Sequence, residues 1–186
     1  VPHSAPINEE TWGSQYKGGI AKRIPPSGLP RRHRYTPAMP HYVRADIPGG
    51  TCFFTVALLE RRRRLLVENI GTLREAFRGV RHRYPVTIDA IVILPDHLHC
   101  VWTLPPGDAD FSTRWRLVKA AFARRIAAGE QLSERRQRTG ERGIWQRRFW
   151  EHAIRDAADL TRHVDYIHHN PVKHGHADRV VDWSYS

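Results

Sequence analysis

Cysteine is scarce: the 186 residues hold two, Cys52 and Cys100, and no CxxC spacing. That excludes a disulfide framework and argues against a thiolate metal knuckle; both fall in apolar, strand-like runs, where reduced, buried thiols are expected. Long apolar runs are absent too. Nothing approaches the ~18 residues of a membrane span, and the first residues lack a signal-peptide core, so no membrane partner is expected. Acidic residues are outnumbered, nineteen Asp plus Glu against thirty Lys plus Arg, for a formal charge of +11 and a pI near 10.4. Methionine occurs once, at Met39. No internal repeat or coiled-coil heptad is visible.

The chain is long enough for one domain with a real core. Arginine supplies most of the cations, and its planar fork matches phosphate oxygens better than an ammonium does. A nucleic-acid partner is therefore expected, and with it a cytoplasmic, nucleoid-associated location; a merely solvated basic surface is the plainer alternative.

Residues 1–40 differ from the rest. They are rich in Pro, Gly, Ser and basic residues without sustained apolar periodicity, a composition that cannot offset its chain entropy. They read as a disordered basic arm, with the domain proper over 41–186. Met39, where organised sequence starts, is a candidate translation start.

From Thr51 the pattern becomes regular. Residues 51–58 read as a strand after the turn signal Pro48-Gly49-Gly50. Leu66, Ile70, Leu73, Phe77 and Val80 give a helical stripe over 66–83. Residues 86–94 read as a central strand because they are apolar throughout their end. A Pro95-Asp96 turn and a returning strand over 98–104 follow. A second helix spans 112–128, a mobile polar loop 129–143, a last strand 145–154, and a third helix 157–170 stopped by Pro171. The order β-α-β-β-α-β plus a helix predicts an α+β fold of the ferredoxin-like split-βαβ type, with helices on one face of an antiparallel sheet and a C-terminal helix carrying Tyr166.

Two segments carry chemistry. In His97-Leu98-His99, strand alternation sends both imidazoles to one face and Leu98 to the other, a pair suited to a divalent metal or to a polar strand face. On the third helix, Leu160, Val164 and Ile167 form the expected core stripe, leaving His163, Tyr166 and Asn170 on a different face. Tyr166 is then either a rim-of-core tyrosine or a nucleophile beside an amide ligand. The two segments together suit phosphodiester cleavage, which needs an in-line nucleophile and a cation on the phosphoryl oxygens. Arg114, Arg116, Lys119, Arg124, Arg125, Arg147, Arg148 and the run 135–138 are candidate DNA-backbone contacts, with Trp145 or Phe149 as a base-stacking platform.

His97-Leu98-His99 resembles the HUH motif of single-tyrosine transposases. The segment from Tyr166 through Asn170-Pro171-Val172-Lys173 to Gly175 resembles the signature of their REP-associated branch, and so do 49–56, 94–105 and 144–152. The similarity spans roughly residues 39–184. It implies a metal-dependent endonuclease and strand transferase acting on hairpin-bearing single-stranded DNA through a 5′-phosphotyrosine. Tyr166 matches the catalytic tyrosine, and His97 and His99 match ligands of Mg²⁺ or Mn²⁺. Asn170 stands where relatives place a third polar ligand, often Gln. The resemblance leaves monomer and homodimer open. A non-catalytic nucleic-acid-binding module on the same fold is the second reading; a hydrolytic metalloenzyme would want more carboxylates near the histidines.

Overall fold

The computed structural model describes residues 46–128, 134–140 and 142–186. The basic arm and Met39 lie outside the described residues, as do 129–133 of the expected loop. Four strands form one antiparallel sheet: β1 (Thr51–Ala57), β2 (Thr87–Ile93), β3 (His97–Thr103) and β4 (Trp150–Ala153), in the order β2-β3-β1-β4. This is the split-βαβ order, with the two strands that follow helices at the edges.

Alternation along β1 divides the interior. Phe54 and Val56 face one way, with Leu98, Cys100 and Trp102 of β3, and meet helices α2 (Ile70–Arg83) and α3 (Phe111–Arg125). Trp102 stacks on Trp115 of α3 at 4.1 Å between ring centroids. Phe53 faces the other way, with Val92, Leu94 and Val101, and is covered by Ile167 of α5 (Ala157–Lys173). The sheet is therefore sandwiched, and α5 has its own face. Cys52 and Cys100 are free, buried thiols.

Five expectations are corrected. The helix expected over 66–83 breaks at Asn69, after a single turn α1 (Leu65–Glu68): the Asn69 amide donates to the Leu65 carbonyl, competing locally with the helix ladder. β2 is an edge strand. Its apolar end is buried because both sheet faces are covered there and because the C-terminal segment caps the edge, with Ile93 N–H donating to the Tyr185 carbonyl and Trp183 Nε1 to the Ile93 carbonyl. The last strand is only Trp150–Ala153; upstream, Trp145 bridges Leu58 and the Lys119 ammonium holds the carbonyls of Gln146 and Arg147. Within the expected loop, Glu134–Thr139 forms a short helix, α4.

The fifth correction bears on the site. Pro171 does not stop α5, which runs to Lys173 and ends at Gly175. Gly175 N–H donates to the Val172 carbonyl and His176 N–H to the Pro171 carbonyl, the paired bonds of a Schellman cap, with Gly175 at φ +67° as that cap requires. Near a helix end, proline forfeits one backbone bond without ending the helix. At the other end Asp156 caps by accepting from Asp159 N–H at 2.7 Å.

Candidate active site

β3 begins at His97, so the pair sits where the sheet meets the Pro95-Asp96 turn. Leu98 joins the α2/α3 core, and both imidazoles are buried, at 5% and 3% exposure. Their rings lie edge to face, 4.9 Å apart. Each is held by Nδ1: His97 by the Asp96 carboxylate at 2.7 Å, His99 by the Thr55 hydroxyl at 2.9 Å across the β1–β3 ladder. Those bonds leave the Nε2 atoms for a ligand, as in metal sites whose outer partners fix ring orientation. Burial lowers the pKa of both; Asp96 offsets part of this at His97, while the His97 and His174 rings add to it at His99. Both are neutral, ligand-competent imidazoles at pH 7.

Tyr166 lies edge-on to His99 at 5.1 Å and to Phe53 at 6.0 Å, and Lys173 Nζ stands 5.8 Å over its ring. Burial raises the phenol pKa above its usual value near 10, and the neighbouring Asn170 amide offsets part of the rise. Asn170 is 0% exposed, and neither its oxygen nor its nitrogen has a hydrogen-bond partner of normal geometry.

The buried stripe of α5 differs from expectation. It runs Asp159, His163, Ile167, Asn170, with Leu160 and Val164 only half-buried. The face assigned to chemistry is thus largely the face against the sheet, and Tyr166 lies at its margin. His163 stacks with His152 of β4 at 4.7 Å and tilts on Phe53 at 4.7 Å, so a row of rings joins His152 to Tyr166.

A second group could hold a metal ion: His152, Asp159 and His163 offer ligand atoms all within 4.8 Å of one another. Asp159 is already heavily engaged there. Its carboxylate accepts from His152, from Arg155 through backbone and side chain, and from Arg162. Burial alone would raise its pKa, yet these donors hold it far below the usual carboxylate range. Near-parallel rings (17°) also cannot both direct in-plane lone pairs at one ion between them. The group reads better as a clamp of the tyrosine helix to β4.

The candidate DNA contacts do not gather at this site. Arg114 is corrected: it is 2% exposed, with its guanidinium bound to Asp108 and to the carbonyls of Tyr84, Pro85 and Asp110, so it is a structural tie. Trp145 is buried against Phe122 with Nε1 on the Lys119 carbonyl, while Phe149 packs on Phe54 and Trp115 and stays half-buried at the edge of the cleft beside α3. Arg116, Lys119 and Arg147 line a cleft of about 430 Å³ beside α3, Arg124 and Arg125 line another between α2 and α3, and Arg148 is exposed. Since α3 packs on the sheet face away from α5, this set and Tyr166 are separated by the sheet. Two further residues shape the site without a local sequence signal: Thr55, placed opposite His99 only by the strand register, and Arg61, which pairs with Asp96.

The family model described as "Transposase IS200 like" matches residues 53–170, from Phe53 on β1 through Tyr166 to Asn170 on α5. The chain belongs to this transposase family, whose members are enzymes. Within it, the chain is 48% identical over 148 residues to the REP-associated tyrosine transposase of Escherichia coli K12, covering 80% of this chain and 82% of that one. It is 44% identical over 149 residues to a Haemophilus influenzae protein that carries the same name provisionally (80% and 85% covered). Among solved structures it resembles a REP-associated tyrosine transposase bound to a REP hairpin, with a TM-score of 0.68, 48% identity, and 79% and 81% of the two chains covered. No helix among the described residues is long and apolar enough to cross a membrane.

Proposed function

We propose that the chain is a metal-dependent endonuclease and strand transferase for single-stranded DNA, recognising REP-type hairpins and cleaving through a 5′-phosphotyrosine. Tyr166 is the nucleophile; His97, His99 and Asn170 hold Mg²⁺ or Mn²⁺. The observation that carries this reading is Asn170. Its amide is fully buried with no hydrogen bond of normal geometry on either atom, an arrangement that costs about 1–3 kcal/mol, and it neighbours the phenol of a tyrosine that touches His99. A ligand on its oxygen offsets the oxygen's share of that cost. The donor set fits a divalent ion: two neutral imidazoles oriented through Nδ1 and one amide oxygen.

When bound, the ion supplies Lewis-acid stabilisation of charge growing on the phosphoryl oxygens. Tyr166 Oη forms the new bond to phosphorus as the bond to the 3′ oxygen breaks. The phenol loses its proton, and the departing 3′ oxygen keeps the bonding pair and gains one. The phosphodiester is retained as phosphotyrosine, so the 3′-OH can later attack it and rejoin strands. Because burial disfavours the phenolate, positive charge beside it matters, and Lys173 over the ring supplies some. Hairpin recognition is supported by the likeness to the hairpin-bound structure. The protein acts as a monomer or homodimer on DNA in the cytoplasm. A non-catalytic binding module would have no use for a buried, poorly satisfied amide beside a tyrosine.

The test is incubation with hairpin-bearing single-stranded DNA, with and without Mg²⁺ or Mn²⁺, followed by denaturing electrophoresis. The expected product is a covalent adduct absent without metal, in Tyr166→Phe and in His97→Ala. Hairpin binding with no adduct under either metal would favour the module.

A further inference from the structure

The basic residues beside α3 lie across the sheet from Tyr166, yet the site has a basic wall of its own. Between β1 and α1 the chain reads Glu60-Arg61-Arg62-Arg63-Arg64. This loop is latched at both ends to the turn preceding His97: Leu58 N–H donates to the Asp96 carbonyl and Leu66 N–H to the Pro95 carbonyl. The latches fix four consecutive arginines beside the first candidate metal ligand. With His97, His174 and His176 they line a cleft of about 370 Å³. His174 caps the tyrosine helix and lies 5.6 Å from His97, so the cleft runs from the imidazole pair to the end of α5.

The charge in this cleft is largely uncompensated. Arg61 pairs with Asp96, which also holds His97. Glu60 accepts from the Arg62 backbone N–H. Among the described residues, no carboxylate pairs with the side chains of Arg62, Arg63 or Arg64. Confining like charges at the end of a core strand costs free energy in the free protein, and a bound polyanion relieves it. A cleft of this size suits one strand of nucleotides.

We infer that the Arg61–Arg64 cleft binds the sugar–phosphate backbone of the single-stranded DNA immediately flanking the scissile phosphate. This rests on the strand-transferase reading above. With the scissile phosphate at His97 and Tyr166, the neighbouring phosphates of the same strand enter the cleft, where guanidinium forks meet them. The hairpin stem is gripped elsewhere. Arg61 links the two functions, because the Asp96 it binds is the carboxylate that orients His97.

The test compares the triple variant Arg62→Ala/Arg63→Ala/Arg64→Ala with a control of equal charge loss on one exposed face of α2, Arg74→Ala/Arg78→Ala/Arg81→Ala. Each is titrated over a range of salt with a blunt hairpin and with the same hairpin carrying a single-stranded flank. The expected result is unchanged blunt-hairpin affinity in the cleft variant. For the flanked DNA, its plot of log affinity against log salt becomes shallower by about 2, from three contacts at about 0.7 each. The control leaves the difference between the two DNAs intact. Equal weakening on both DNAs, an unchanged slope on the flanked DNA, or the same flank-specific loss in the control would overturn the inference. Absence of a Tyr166-dependent adduct in the wild type would instead sink the catalytic reading, and it is scored on a separate gel.

Discussion

Thr55 and Asp96 show how much of the site depends on residues that touch no substrate. Each takes the Nδ1 of one imidazole, and together they decide which nitrogen of each ring is left for an ion. Thr55→Val keeps the shape and β-branching of the side chain while deleting its hydroxyl, so the strand should persist. The expected outcome is a 10- to 100-fold loss of Mn²⁺ affinity, the usual effect of removing an outer partner, measured by calorimetric titration with circular dichroism unchanged. Wild-type affinity in the variant would mean that Thr55 does not orient His99. Arg114 is the converse case, a cation with the composition of a DNA contact and the surroundings of a core tie. Truncating it to alanine should cost about 3 kcal/mol in urea unfolding, since it leaves Asp108 and three carbonyls without their donor. A stability within 0.5 kcal/mol of wild type, the usual range for surface changes, would return Arg114 to the surface set.

At the scale of the element, α5 is the moving question, because it delivers both Tyr166 and Asn170. Its first turns are tied to β4 through Asp159, and its last turn is closed by Gly175. Asp159 makes the N-terminal tie sensitive to acid. Burial raises its pKa, but hydrogen bonds from His152 and Arg155 outweigh that and hold the folded value well below the unfolded one. A depressed carboxylate stabilises above its unfolded pKa of about 3.9 and loses that contribution as the pH falls toward the folded value. The stability difference between wild type and Asp159→Asn should therefore be full at pH 7 and shrink below about pH 4, in denaturant titrations at stepped pH. A difference constant from pH 7 to 3 would show that the carboxylate charge is not what secures the helix.

For the whole molecule, charge is unevenly useful. A formal charge of +11 attracts polyanions to any face, but basic residues gather in separate clefts, one beside α3 and another at Arg61–Arg64. Affinity for hairpin DNA should fall steeply and linearly on log–log axes as salt rises, by more than tenfold between 50 and 200 mM if several phosphates are contacted. Filter binding across that range would expose a flat response, which a basic-groove mode of binding does not allow.

The strand and helix order, the sheet alternation that pairs His97 with His99, and the spacing of Tyr166 and Asn170 were legible in the chain itself. All of these are local periodicities, set by a pleat of two and a turn of 3.6. Sequence also carried the end of α5, in Gly175, although Pro171 is the louder signal. What only the tertiary structure decided are contacts between distant segments: Thr55 opposite His99, Arg61 on Asp96, Arg114 drawn inside, and α5 laid with its polar stripe against the sheet. Local pattern cannot rank these, because a buried polar residue is tolerated only if some remote group satisfies it. Asn170 marks the limit of both: the sequence could place it one turn from Tyr166, and the fold alone revealed it as a fully buried amide with no hydrogen bond of normal geometry.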